Sequence, residues 1–187
     1  LHPSQIISMS IRYCGFTPKL KLKISDPRRN IQYLGGPGLN NRIYVVLTCP
    51  VNGMYKKIKL AFYITKRTNE TNDTILYECD YYHNGLMAVS CEQIGDEPLT
   101  TFEFCEKISK MLKLGFAATE DCETIEDKRY RQIYSQRVGD FIEQQIEIGG
   151  LDEESIFDAW IDINGYLVLV NLPWVFNQRI KSENLAI

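Results

Sequence analysis

Six cysteines, Cys14, Cys49, Cys79, Cys91, Cys105 and Cys122, are the most reactive side chains in this sequence. None stands in a C-x-x-C pair, and the histidines are His2 and His83 alone. A zinc site draws on thiolates and imidazoles at short spacing; that spacing is missing, so no metal is expected. An even number of cysteines spread along a chain fits three disulfides, which persist in oxidising compartments. Adjacent sequons, Asn69-Glu70-Thr71 and Asn72-Asp73-Thr74, point the same way. They lie in the polar stretch 66–73 between two strand-like segments, where an exposed loop has room for an oligosaccharide. These features predict a secreted or extracellular chain, with a lysosomal lumen or a cell-surface ectodomain as variants.

Catalysis finds little support in the residues. There is no G-x-S-x-G, no H-E-x-x-H and no Cys–His pair in a suggestive setting. One internal histidine leaves hardly any general base near neutral pH, and His83 beside Asn84-Gly85 reads as a turn residue. The carboxylates Glu120-Asp121 and Asp152-Glu153-Glu154 read as solvated loop faces. Asp162-Ile163-Asn164-Gly165 resembles part of a Ca²⁺ loop. Its register puts Trp160 and Asn171 where carboxylates are required, so it reads as a hairpin turn. Gly35-Gly36-Pro37-Gly38 lacks the lysine of a phosphate loop and reads as a connection, a plausible rim for recognition. The expectation is a binding domain without cofactor, not an enzyme.

The elements that must position these residues read as mostly β. In Lys19–Ile24, Leu20, Leu22 and Ile24 alternate with three lysines, the pattern of a half-buried strand. Asn52-Gly53 joins Ile43–Leu47 to Tyr55–Ile64, and Asn164-Gly165 joins the strand ending at Ile163 to Tyr166–Leu172; both are hairpin signals. Ile75–Cys79 and Leu86–Cys91 form a further candidate pair. From Thr100 or Thr101, Phe102, Cys105, Ile108, Met111 and Leu112 recur at helical spacing, with a threonine in the N-cap region, predicting a helix that ends near Gly115. Glu123–Gln136 reads as a weaker helix, and Ile142, Ile146 and Ile148 as a strand. The fold class expected is α+β and β-rich: an antiparallel β-sandwich or β-cup carrying one or two helices in mid-chain.

At 187 residues the chain is read as a single domain, 1–187, with a flexible tail over 177–187. The net charge of −3 looks interspersed, which gives no basic field for nucleic acid. Its longest apolar run, 166–170, is too short to cross a bilayer. Trp160 and Trp174 flank the last hairpin and offer rigid contact area.

One segment carries a family likeness. A strand ends at Cys79, a short loop closes at Cys91, then come Phe102-Glu103-Phe104-Cys105-Glu106 opening a helix and Cys122 just after it. With Tyr13-Cys14-Gly15 leading into the strand at Lys19, this resembles the ganglioside-activator branch of the ML lipid-recognition proteins. The resemblance implies a secreted or lysosomal β-cup enclosing lipid tails. It also implies bridges Cys79–Cys91 and Cys105–Cys122, with Cys14–Cys49 as the remaining pair.

Two functions are therefore expected. The first is a secreted, disulfide-bonded glycoprotein domain that binds an extracellular protein or receptor through exposed aromatics and loops. The alternative is a lipid-binding or lipid-transfer protein with an apolar cavity between sheets. Leu60, Phe62, Ile108, Leu112, Trp160 and Trp174 are the candidate binding residues, Asn69 and Asn72 the candidate glycan sites.

Overall fold

The computed structural model describes the chain except residues 1, 14, 28–30, 32–34, 52–53, 152–154 and 184–187. It divides into two compact units, Leu1–His83 and Asn84–Ile187. The β-rich α+β class is what the chain adopts, with several antiparallel strand pairs and helices in both the middle and the end of the sequence.

The first unit is one antiparallel sheet. Its strands are β1 (Ile6–Tyr13), β2 (Pro18–Ser25), β3 (Gly38–Val51), β4 (Met54–Thr71) and β5 (Thr74–Tyr81), in the order β1-β2-β5-β4-β3. The strict alternation in β2 sets the face. Leu20, Leu22 and Ile24 stand opposite Cys79, Tyr77 and Ile75 of β5, and all six are buried. Slipping the register by one residue would turn this set to solvent, so the pattern fixes the pairing. Leu60, Phe62 and Ile64 of β4 extend the same apolar face. The β3–β4 hairpin is paired down to Val51 and Met54, as the Asn52-Gly53 signal predicts; those two turn residues lie outside the described part. Both sequon asparagines are exposed, but the polar stretch 66–73 is no open loop. β4 continues to Thr71, where it pairs with Thr74, because β5 keeps pairing with it through two bulges up to that point.

The second unit holds α1 (Asn84–Met87), β6 (Val89–Gln93), α2 (Thr101–Leu112), β7 (Gly115–Ala118), β8 (Gln132–Arg137), α3 (Val138–Glu147), β9 (Phe157–Ile161), β10 (Tyr166–Asn171) and α4 (Leu172–Glu183). Helix α2 is the one the spacing predicts. Thr100 caps it by accepting from Glu103 N at 3.1 Å while Glu103 accepts from Thr100 N at 2.9 Å, a reciprocal box worth about 1 kcal/mol. Lys113, left-handed at φ 57°, ends it. Its apolar stripe, Phe104, Cys105, Ile108 and Leu112, is buried.

Three local expectations need correction. Residues 123–136 are not a helix: a 3-10 turn over Glu120–Thr124 gives way to extended chain and β8, which pairs with β6. Residues 142–148 are not a strand. Val138, Phe141, Ile142, Gln145 and Ile146 make a one-sided buried stripe on α3, so the period is 3.6 rather than 2. Leu86–Cys91 does not pair with β5, whose neighbours are β2 and β4; Leu86 sits in α1 and the rest in β6. The sheet β7-β10-β9 also contains one parallel pair, β7 with β10, which the long crossover through β8, α3 and β9 makes possible. The segment 177–187 is helical as far as Glu183; 184–187 lie outside the described residues.

Candidate interaction surface and a buried polar cluster

The outward face of the first unit's sheet is basic. Register places Arg12 beside Lys19, Lys21 beside Ser10 and Lys23 beside Ser8, and continues through Lys66 to Lys59, Lys57 and Arg42 on the far strands. Glu78 and Asp80 stand among them, and Glu70 reaches Lys23 at 2.6 Å. Lys21 meets Glu78 at 3.6 Å, an exposed pair worth about 0–1 kcal/mol. Arg42 lies over the Tyr82 ring at 3.7 Å and donates to its hydroxyl at 2.7 Å.

The sheet's two edges are long and carry exposed apolar side chains. β1 is paired on one side only, and Ile7 is 52% and Met9 43% exposed. β3 is the opposite edge. It exposes Tyr44 at 56% and Val46 at 55%, with Lys59 over the Tyr44 ring at 5.1 Å. Edges of this length are templates for another chain unless charge, proline or a covering element blocks them.

The second unit contains a buried polar cluster that the sequence reading missed. Asp127, Arg131 and Thr101 are each 3% exposed or less. Thr101 donates its N–H to Asp127 Oδ1 at 2.7 Å and its hydroxyl to Oδ2. Gly150 N donates to the same Oδ2 at 3.0 Å, and Arg129 Nη2 at 3.4 Å. Arg131 donates to Thr101 Oγ1 at 3.0 Å and to Gln145 Oε1 at 2.9 Å, while its Nη2 lies 3.9 Å from Asp127. Its guanidinium packs 4.7 Å from the Phe104 ring centre. Burial lowers Arg131 to about 10, with Asp127 opposing that shift. The cluster ties the start of α2, the strand-like segment 127–131, α3 and the Gly150 turn into one body. Every acceptor atom of Asp127 is taken by the protein itself, which makes it a brace rather than a reaction centre. The run Glu126-Asp127-Lys128-Arg129-Tyr130-Arg131 looks like a solvated charge run, and no local spacing in it marks Asp127 and Arg131 as buried.

The candidate binding residues are divided between the two units. Leu60 and Phe62 belong to the first unit's core, and Ile108, Leu112, Trp160 and Trp174 to the second unit. Trp160, in β9, pairs with Val168 and is half-buried, as is Trp174 in α4. Asp162 accepts from Asn164 N and Tyr166 N, both at 2.8 Å, as a hairpin turn should. Among the described residues no group of His, Cys, Asp and Glu could hold a metal ion, and no helix is long and apolar enough to cross a membrane.

The cysteines overturn the disulfide frame. Cys79, Cys91, Cys105 and Cys122 are free thiols. Cys79 is buried in β5 of one unit and Cys91 is exposed in β6 of the other. Cys105 and Cys122 are both buried; Cys122 Sγ lies 3.0 Å from Thr119 Oγ1. Burial pushes the Cys79 and Cys105 thiols up to about 12 and raises Cys122 as well. Cys14 and the Cys49 side chain lie outside the described part.

No family model matches the chain, and no curated protein matches it. Among solved structures, the prophage tail protein gp18 from Listeria monocytogenes EGD-e is 11% identical, with TM-score 0.47, over 89% of this chain and 45% of that one. The 43 kDa tail protein of prophage MuSo2 from Shewanella oneidensis is 12% identical, with TM-score 0.40, over 88% and 54%. The chain thus spans about half the length of each. The expected secreted, disulfide-bonded glycoprotein and its lipid-binding alternative are corrected here. Four thiols are free, and the supposed lining residues are split between two units.

Proposed function

We propose that this chain is a structural subunit, of the tail-protein kind, that works by packing against other protein chains rather than by catalysis. The observation that carries the reading is β3, which among the described residues pairs with β4 alone and exposes Tyr44 and Val46. An unpaired edge with apolar side chains is an aggregation hazard in a free monomer and an assembly surface in a built particle. The brace around Asp127 fits the same role, since it holds a rigid body together and leaves no acceptor free for a substrate.

Rate sedimentation of the tagged chain from its natural source tests this. The chain should travel in a large particle, and Tyr44→Lys/Val46→Lys should release it to low mass. A chain that sediments as a free monomer before any substitution overturns the reading.

A further inference from the structure

The net charge of −3 conceals two strongly opposed halves. Residues 1–83 carry twelve Lys and Arg against five Asp and Glu, a net +7. Residues 84–187 carry nine against nineteen, a net −10. Asymmetry of this size between units marks a partner of opposite sign for each.

On the basic unit the charge is concentrated on one face. Arg12, Lys19, Lys21, Lys57, Lys59 and Lys66 are exposed on the outward side of the sheet. On the acidic unit, α3 supplies the matching surface. Asp140, Glu143 and Glu147 are exposed at i, i+3 and i+7, opposite the buried stripe Val138, Phe141, Ile142 and Ile146, and α3 has no basic residue. None of the three carboxylates is in an ion pair among the described residues.

We infer that the basic sheet face of one copy receives the acidic α3 face of another, so that copies associate head to tail. This rests on the structural-subunit reading and names the neighbour. A nucleic acid is the competing occupant of a basic face, and two features weigh against it. Glu70, Glu78 and Asp80 sit among the lysines and would meet phosphates with like charge, and Tyr44 and Val46 give the face an apolar border suited to protein. A second copy brings its own acidic unit in equal number. Because the two surfaces differ, each contact joins unlike faces and every copy offers one of each.

The test uses the purified full chain in sedimentation equilibrium at low salt, about 20 mM, and at about 0.5 M, where screening shortens the reach of charge severalfold. The wild type should self-associate at low salt and fall to monomer at high salt. Lys19→Gln/Lys21→Gln/Lys59→Gln removes the basic face, and Glu143→Gln/Glu147→Gln the acidic one. Each variant alone should be monomeric. Mixed in equal amounts they should form a 1:1 dimer and stop, since one intact face remains on each. A wild type that is monomeric at low salt overturns the inference, as do variants that associate like the wild type. Salt-sensitive binding of a random-sequence DNA duplex without self-association also overturns it. If the purified chain is monomeric yet sediments in a particle from its natural source, the subunit reading stands and only the copy-on-copy contact falls.

Discussion

Thr101 and Asp127, 26 residues apart in the chain, are joined by two hydrogen bonds, one from the Thr101 backbone to Oδ1 at 2.7 Å and one from its hydroxyl to Oδ2. The pairing fixes the first residue of α2 to the segment that leads into β8 and, through Oδ2, to Gly150. It converts a polar loop into part of the core.

Asp127→Asn should therefore be severe. An amide nitrogen accepts no hydrogen bond, so the donors on one of the two Asp127 oxygens lose their acceptor, and Arg131 loses its neighbouring charge inside the protein. Breaking a buried pair from one side costs about 3–5 kcal/mol, a large share of a stability of about 5–15 kcal/mol. Urea unfolding reads this as a lowered midpoint. Asp127→Asn combined with Arg131→Met should cost less than the two single losses added together. A single-variant loss below about 1 kcal/mol contradicts the brace.

Gly150 is under the same constraint from the backbone. Its φ is +89°, and a methyl group there would collide with the Ser155 carbonyl. Gly150→Ala should cost more than about 2 kcal/mol, whereas Gly36→Ala, with nothing within 4 Å, should change little. Thermal melts of the two variants side by side decide it, and equal shifts refute the contrast.

Local patterns were legible in the sequence wherever one residue's neighbours in space are also its neighbours in the chain. The lysine–leucine alternation of β2 and the helix of α2 opening behind a threonine cap both emerged as read. α3 was misread because Ile142 and Ile146 satisfy an even spacing as well as a helical one; adding Val138, Phe141 and Gln145 resolves it. The brace was illegible for a different reason. Whether Asp127 and Arg131 face water or Thr101 depends on contacts far along the chain. The charge division was in plain view, and a whole-chain sum of −3 concealed it.

Thiol chemistry separates the exposed cysteine from the buried ones. Brief alkylation of the native chain should label Cys91 and spare Cys79, Cys105 and Cys122, as peptide mass mapping would show. Burial raises Cys79 and Cys105 from 9.0 to about 12, so the unfolded chain gives up these protons first. Their contribution to stability is full below about 9 and is lost as the pH rises toward about 12. Cys79→Ala should flatten that alkaline decline. Labelling of Cys105 as fast as Cys91 would show that the α2 core is open.

Tyr44→Lys/Val46→Lys touches only solvent-facing positions on β3, so it should leave the unfolding midpoint within about 0.5 kcal/mol of wild type. A large loss of stability would mean that β3 is buttressed within the chain and not reserved for a neighbour.

Backbone hydrogen exchange along β3, measured for the isolated chain and for the chain within its native particle, bears on the structural role without intermediary. Packing of the edge against another chain predicts strong added protection of amides within 42–48 in the particle and none for the interior strand β5. Equal exchange of β3 in the two states would contradict it.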